Sequence, residues 1–179
     1  EAGVSTGTLY VYFQNKEDLF RALVCDARER SFQGLAASIA AGADVRERLT
    51  NFGLHLAGKL CSDDVVRAQR IVLGICERKP EIGREMIEAG YLRARRLLAE
   101  VIARAQAAKE LGPGDPERLA TQFVELATAG LYRPRLFGAM SAPPSQAEVA
   151  ATVRAAVDLL LAACPPAGRN GAQTQPHGQ

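Results

Sequence analysis

The sequence predicts an all-α protein, and three observations support that prediction. Apolar residues recur every three or four positions in one segment after another, as they do along the buried face of a helix. Of the 179 residues, 47% are hydrophobic, only 6% are aromatic and none is tryptophan, a composition that suits helices packed on helices. No segment shows the alternation of a half-buried strand, and no internal repeat is found.

The chain opens with a predicted turn and a short helix that exposes hydroxyl groups. Ser5 is placed to cap this helix, and Leu9 and Phe13, four residues apart, face inward. Asn15 can cap the longer helix that follows, where Lys16 and the helix dipole would together stabilise a bound phosphate. Hydroxyls at the front of such a helix can contact phosphates and base edges. This layout is typical of a DNA-reading element.

The residues of this stretch read Ala2-Gly3-Val4-Ser5, Gly7-Thr8-Leu9-Tyr10, Tyr12-Phe13 and Asn15-Lys16-Glu17, followed by Leu19. They resemble the recognition segment of bacterial TetR-family transcriptional regulators, whose pattern is close to A-G-V-S-x-G-T-L-Y-x-[HY]-F-x-[SN]-K-E-x-L. The resemblance implies a helix-turn-helix. Candidate contacts to bases or the groove are Thr6, Gly7, Thr8, Tyr10 and Val11, and candidate phosphate contacts are Ser5, Tyr12 and Lys16.

In that family one helix and most of a second precede the segment, so we expect the sequence to be truncated at its N-terminus. The module present is then a partial helix-turn-helix. Up to Arg30 the chain carries four basic and five acidic residues, whereas a phosphate-binding surface usually has an excess of positive charge. This balance counts against strong DNA binding by the stretch alone.

Composition and periodicity, together with what the TetR-family resemblance implies for each part, divide the chain into four predicted segments. These are the C-terminal part of a helix-turn-helix domain (1–16), a connecting helix (17–35), a helical-bundle ligand-binding and dimerisation domain (36–164) and a disordered tail (165–179).

Within the bundle, Asp44 is predicted to cap a helix that ends near Ser62. Asp63 or Asp64 should cap the next helix, whose apolar residues lie on more than one side and predict a central, largely buried position. Pro80 then breaks the chain. A long helical segment follows, in which Gly90 is a candidate kink.

Gly112-Pro113-Gly114-Asp115-Pro116 is the clearest loop, and Asp115 should cap a helix that begins at Pro116. Pro134 is expected to end or bend that helix early. Ser145 is the predicted cap of the last helix, from about Gln146 to Ala163.

A second resemblance concerns the region 70–83, which ends in Lys79-Pro80-Glu81-Ile82, and the loop at 112–116. Both are similar to the AefR-like subgroup of the TetR family. The resemblance implies a homodimer in which the last two helices pair across a two-fold axis as a four-helix bundle. The alternative is that their apolar stripes and small residues only pack within one chain.

Catalytic, metal and membrane functions find no support in the sequence. His55 and His177 stand apart from any candidate nucleophile, and neither a phosphate loop nor a G-x-S-x-G motif is present. The cysteines are irregularly spaced, which argues against zinc and structural disulfides and predicts small buried hydrophobes at Cys25, Cys61, Cys76 and Cys164. We therefore expect no enzyme activity, no cofactor, no metal, no membrane span and a cytoplasmic location.

Polar or aromatic residues inside otherwise apolar helices are candidates for binding a small hydrophobic or amphipathic effector. They are His55, Gln69, Cys76, Tyr91, Gln122, Thr128 and Tyr132. For each, a satisfied core or interface position is the alternative. Two functions remain open: a ligand-responsive, dimeric repressor of operator DNA, and a helical small-molecule-binding or protein-interaction module that binds no DNA in this truncated form.

Overall fold

The structure, a computed structural model, describes residues 29–166, and every regular element in that range is helical. Helix α1 covers residues 29–40 of the described range. The later helices are α2 (Val45–Leu60), α3 (Asp63–Ile75), α4 (Pro80–Ile87), α5 (Arg93–Ala107), α6 (Pro116–Ala127), α7 (Tyr132–Phe137) and α8 (Gln146–Ala163). A π-helical segment, Glu88–Leu92, joins α4 to α5. The predicted all-α class is confirmed.

The core lies between α2, α5, α6 and α8, which pack on one another in pairs. At its centre the rings of Phe52 and Phe123 are fully buried, with centroids 6.2 Å apart and planes tilted by 59°. This tilted arrangement is one that aromatic pairs prefer. The lack of a side chain at Gly53 allows α2 to pack close to α8. A Cβ atom at this position would lie 2.6 Å from Val153 Cγ1.

Three of the four caps predicted for the bundle helices are present. Asp44 accepts a hydrogen bond from the backbone N–H of Glu47, and Asp115 accepts one from Glu117. Ser145 and Glu148 form a reciprocal capping box at the start of α8. These side chains satisfy N–H groups that the first turn of a helix leaves unpaired.

Helix α1 continues to residue 40, five residues past its predicted end. Gly34 does not interrupt it, and Leu35 and Ile39 carry the buried stripe onward. The helix ends at the turn that contains Gly42, where a Cβ would lie 2.7 Å from the backbone N of Arg48.

The prediction that the segment after Ser62 is a central, buried helix is wrong. In α3 only Val66 and Val72 are buried, whereas Ile71 and Leu73 are 47% and 52% exposed. The helix lies at the edge, where it packs on α2, α4 and α7. Its N-cap is Ser62 rather than an aspartate, and Asp63, the first residue of the helix, accepts a hydrogen bond from Arg135.

The prediction that Pro134 ends or bends the preceding helix is wrong. Helix α6 stops at Ala127, and Gly130 then takes a left-handed φ of 72°. Pro134 lies in the first turn of α7, where a missing N–H costs no helical hydrogen bond. Gly90, the candidate kink, lies in the π segment. Cys61 and Cys164 are buried as predicted, but Cys76 is half-exposed, and Cys25 lies outside the described residues.

Candidate effector site and the contacts of the connecting helix

The eight predicted DNA-contact residues lie outside the described part of the chain and stay predictions. They are Ser5, Thr6, Gly7, Thr8, Tyr10, Val11, Tyr12 and Lys16.

Two of the seven candidate ligand-binding residues meet directly. The Tyr132 hydroxyl, at the start of α7, donates a hydrogen bond to Gln69 Oε1 on α3. Tyr132 also packs against the core, and burial raises the pKa of its hydroxyl while the bond to Gln69 opposes that rise. The pair therefore places a neutral phenol and an amide beside apolar side chains, a combination that orients small ligands.

His55 makes a contact to helix α1. Its Nε2 lies 3.0 Å from the Ser31 carbonyl oxygen, and the missing side chain of Gly34 makes room for the ring, because a Cβ there would lie 3.1 Å from Cε1. One turn earlier in α2, Asn51 Nδ2 donates to the Ser38 carbonyl at 3.0 Å. These two side chains bind α1 at carbonyls seven residues apart.

The other four candidates lie in separate surroundings. Thr128 is buried, and its hydroxyl donates to the Val124 carbonyl one turn back. Cys76 Sγ contacts the Leu73 carbonyl at 3.3 Å. Tyr91 lies in the π segment and packs on the core, while Gln122 is exposed on α6. Among the seven, a side-chain hydrogen bond within residues 29–166 joins Tyr132 to Gln69, and the Tyr132 backbone N–H also donates to the Thr128 carbonyl at 3.2 Å.

Arg93, the first residue of α5, reaches helix α1. Its Nη1 and Nη2 atoms donate to the two carboxylate oxygens of Glu29 at 2.5 and 3.3 Å, and its guanidinium carbon lies 3.7 Å from the centroid of the Phe32 ring. The hydrogen bond from Arg93 lowers the pKa of Glu29. Sequence reasoning missed this contact. A run of arginines on a helix does not reveal which one has a partner elsewhere.

Arg135 was also missed, although it is 97% buried. It donates from Nε to the Cys61 carbonyl at 3.1 Å, from Nη1 to the Met140 carbonyl at 2.9 Å and from Nη2 to Asp63 Oδ1 at 2.5 Å. Burial raises the pKa of the Cys61 thiol, and the Arg135 charge opposes the rise.

Two of the clefts on the described surface contain none of the seven candidates. One, of about 250 Å³, is lined by Asp63, Val66, Arg67, Arg70, Arg135, Gly138, Met140 and Ser141. Arg70 donates there to the carbonyls of Arg135 and Leu136 at the end of α7, so two of its three arginines hold backbone carbonyls. The other cleft, of about 340 Å³, is lined by Gln106, Lys109, Leu111, Gly112, Pro113 and Gly114.

Within residues 29–166, no group of three potential metal ligands comes together. None of the helices in the same range is long and apolar enough to cross a bilayer.

The comparisons with known proteins agree with this architecture. A family model described as the C-terminal domain of AefR-like transcriptional repressors matches residues 47–164, and one described as bacterial regulatory proteins of the tetR family matches residues 1–23. No functionally curated protein matches the sequence.

Solved structures share the fold. A proposed TetR-family transcriptional regulator from Mesorhizobium loti MAFF303099 superposes with a TM-score of 0.81 at 22% identity, covering 91% of this chain and 82% of that one. The flavonoid-responsive regulator FrrA gives a TM-score of 0.70 at 29% identity, with coverage of 91% and 82%. A proposed TetR-family regulator from Rhodococcus sp. gives 0.66 at 22% identity, covering 89% and 83%.

An all-helical domain that matches a repressor C-terminal family, preceded by a segment that matches the tetR family, defines a transcriptional regulator. The chain belongs to the TetR family, with a C-terminal domain of the AefR-like type. Members of this family are non-enzymatic regulators that bind operator DNA as dimers. The predicted family and the predicted lack of enzyme activity are therefore confirmed.

Proposed function

We propose that the protein is a dimeric repressor that leaves its operator when a small hydrophobic or amphipathic effector binds. Residues 1–16 would supply the second part of the helix-turn-helix, and the helix that ends at residue 40 would connect it to the sensing and dimerisation domain. Because the target is operator DNA, the protein would act in the cytoplasm.

The effector proposal is carried by the Tyr132–Gln69 pair, which joins α7 to the helical hairpin of α3 and α4. Helix α4 has no buried residue, and Ile87 is 52% exposed. On α3, which carries Gln69, Ile71 is 47% exposed. Accessible apolar side chains on the helix that carries the amide and on its neighbour suit a ligand that is mostly apolar with one polar edge. Tyr91 and Cys76 would then lie along the hairpin side of such a ligand.

FrrA is described as flavonoid-responsive, and flavonoids are planar aromatic molecules with hydroxyl edges. This chemistry suits a phenol–amide pair, since the hydroxyls of the ligand can replace the bond between Tyr132 and Gln69. We therefore infer that polyphenolic or similar aromatic compounds are the first effector class to test.

Release would follow from the geometry of the dimer. Two recognition helices must stand about 34–36 Å apart to enter successive major grooves, so a shift of α1 in each subunit changes operator affinity. Couplings of this kind are typically about 1–3 kcal/mol.

Fluorescence anisotropy tests the proposal with protein expressed from its whole reading frame and labelled DNA from upstream of its own gene. The proposal is supported if the protein binds this DNA specifically and quercetin or naringenin weakens the binding at least fivefold. The weakening should be smaller in the Tyr132→Phe variant. Binding that no aromatic compound weakens would contradict the release mechanism. Absence of binding at low salt would favour the alternative, a helical binding module without DNA affinity.

Lys16→Ala tests the DNA-binding segment. If Lys16 contacts phosphate, the variant should weaken binding to all sequences and lower the slope of log affinity against log salt by about 1. The exposed Lys59 on α2 offers a matched control of equal charge change, and Lys59→Ala should leave the slope unaltered. An unchanged slope in Lys16→Ala would refute the phosphate role.

A further inference from the structure

The π segment Glu88–Leu92 contains Tyr91 and is followed directly by Arg93, and these two side chains have different contacts. Tyr91, within it, packs against the core and is a candidate ligand contact. Arg93, two residues later, makes the bidentate contact to Glu29 and covers the Phe32 ring. Both belong to one continuous helical rod, so a displacement at Tyr91 is a displacement at Arg93.

A side chain of α5 also binds the first residue of the segment. Arg96 Nη2 donates to Glu88 Oε1 at 2.8 Å, across eight residues. A π turn holds one more residue than an α turn, and such turns inside α-helices occur often at functional sites. Conversion to regular α geometry would rotate the preceding residues by about 100° relative to α5.

Beside the buried Leu35 and Ile39, three contacts made by polar side chains join the described part of α1 to this helical rod and to α2. Arg93 binds its first described turn at Glu29 and Phe32, His55 contacts the Ser31 carbonyl, and Asn51 binds the Ser38 carbonyl. Only the first contact comes from the helix that contains the π segment.

We propose that Arg93 is a positioning residue that ties the π segment to helix α1, so that movement at Tyr91 changes the direction in which α1 leads to the DNA-binding segment. The proposal rests on the proposed function and specifies how its sensing site is coupled to DNA. Without the tie, α1 samples more orientations, and the fraction of dimers with the correct spacing of recognition helices falls. Apparent operator affinity falls by the same factor.

A charge swap tests the tie. Operator affinity is measured by anisotropy for wild type, Arg93→Glu, Glu29→Arg and the double variant, on protein from the whole reading frame. Each single change should weaken binding about tenfold, and the double should recover to within about threefold of wild type. The matched control is Arg104→Glu, which breaks the exposed Arg104–Glu100 pair on the same helix and should leave affinity unchanged.

Thermal unfolding separates positioning from stability. The Arg93–Glu29 side chains are 37% and 47% exposed, so each single variant should keep its Tm within about 2 °C of wild type. Singles that bind operator like wild type, or a double that fails to recover, would overturn the proposal while leaving the proposed function intact. Wild-type protein that binds no operator would overturn the proposed function and, with it, the role of Arg93.

Gly90→Ala tests transmission through the π segment. A Cβ at Gly90 has open space around it, so alanine favours regular helix without a clash. The change should weaken operator binding at least threefold in wild type and less than twofold further in an Arg93→Gln background. No effect, or equal effects in both backgrounds, would overturn transmission by this route.

Discussion

Arg135 and Asp63 join the start of α3 to α7 through a hydrogen-bonded ion pair in which only the arginine is buried. The side chain of Arg135 is 3% exposed and that of Asp63 is 61% exposed. Since Arg135 also binds the carbonyls of Cys61 and Met140, its guanidinium satisfies three acceptors, two of which belong to the backbone.

Arg135→Met should therefore destabilise the protein by about 3 kcal/mol, because two carbonyls lose their partner. Asp63→Asn should cost less, about 1 kcal/mol, since the carboxylate is largely solvated. Arg135→Lys should not retain the stability of the wild type, because an ammonium lacks the planar fork that reaches three acceptors. Urea unfolding measures all three. An Arg135→Met variant within 1 kcal/mol of wild type would contradict this account.

Gly53→Ala should cost roughly 1–3 kcal/mol by overpacking the contact between α2 and α8. Val153 supplies the atom that would clash, so Val153→Ala should relieve the effect, with a favourable coupling of about 1 kcal/mol in a double-mutant cycle. The control is Gly58→Ala in the same helix. Its Cβ meets nothing within 4 Å, and the change should stabilise by about 0.5–1 kcal/mol. Equal effects at the two glycines would refute the packing argument.

Three of the helix caps could be predicted from the sequence, whereas the contacts of Arg135 and Arg93 could not. Periodicity and local capping chemistry predict the helices and the caps at Asp44, Asp115 and Ser145, because those signals lie within a few residues of one another. Arg135 and Arg93 were missed because their partners are 72 and 64 residues away. The edge position of α3 was missed for a related reason. Apolar residues on several sides of a helix show which side chains could be buried, but they do not show which other helices pack over them.

Lys109→Gly should stabilise the protein by about 0.5–1 kcal/mol. Lys109 has a φ of 60°, the left-handed region that costs a residue with a side chain more than it costs glycine. It follows the end of α5, where its N–H donates to the Gln106 carbonyl. Lys59→Gly, in the last turn of α2, should have the opposite sign and cost up to about 1 kcal/mol. Thermal and urea unfolding compare the two, and destabilisation by Lys109→Gly would contradict the prediction.

The capping box of α8 should make stability depend on acidity. Hydrogen bonds from the Ser145 side chain and backbone lower the pKa of Glu148 below its ordinary value of 4.5. Since the folded pKa lies below the unfolded one, the contribution is fully present above about pH 4.5 and is lost as pH falls through the lower, folded value.

Glu148→Gln should flatten the decline of Tm below pH 4.5, since glutamine does not titrate. Ser145→Ala should flatten it as well and also cost about 1 kcal/mol at pH 7 through the lost N-cap. Tm measured from pH 7 to 3 gives both effects. A decline in both variants as steep as in wild type would rule out the capping box as a source of the pH dependence.

Leu159→Arg should disrupt the homodimer. Helix α8 exposes a stripe at spacings of four, four and three residues, Ala151, Ala155, Leu159 and Ala162, and Leu159 is 57% exposed although it is apolar. On α6, Leu126 is 38% exposed. Small residues beside larger apolar ones allow helices to approach closely, so a second copy of the same two helices suits this surface.

An arginine at the centre of that interface would be desolvated without a partner, and it should raise the dimer dissociation constant at least about 30-fold. Leu73 on α3 is 52% exposed and lies on neither of these helices, so Leu73→Arg controls for the loss of an exposed leucine and should leave the constant unchanged. Sedimentation equilibrium measures both. If Leu159→Arg remains dimeric while Leu73→Arg dissociates, the interface lies on the α3–α4 side, and the exposed stripe of α8 must be assigned another role.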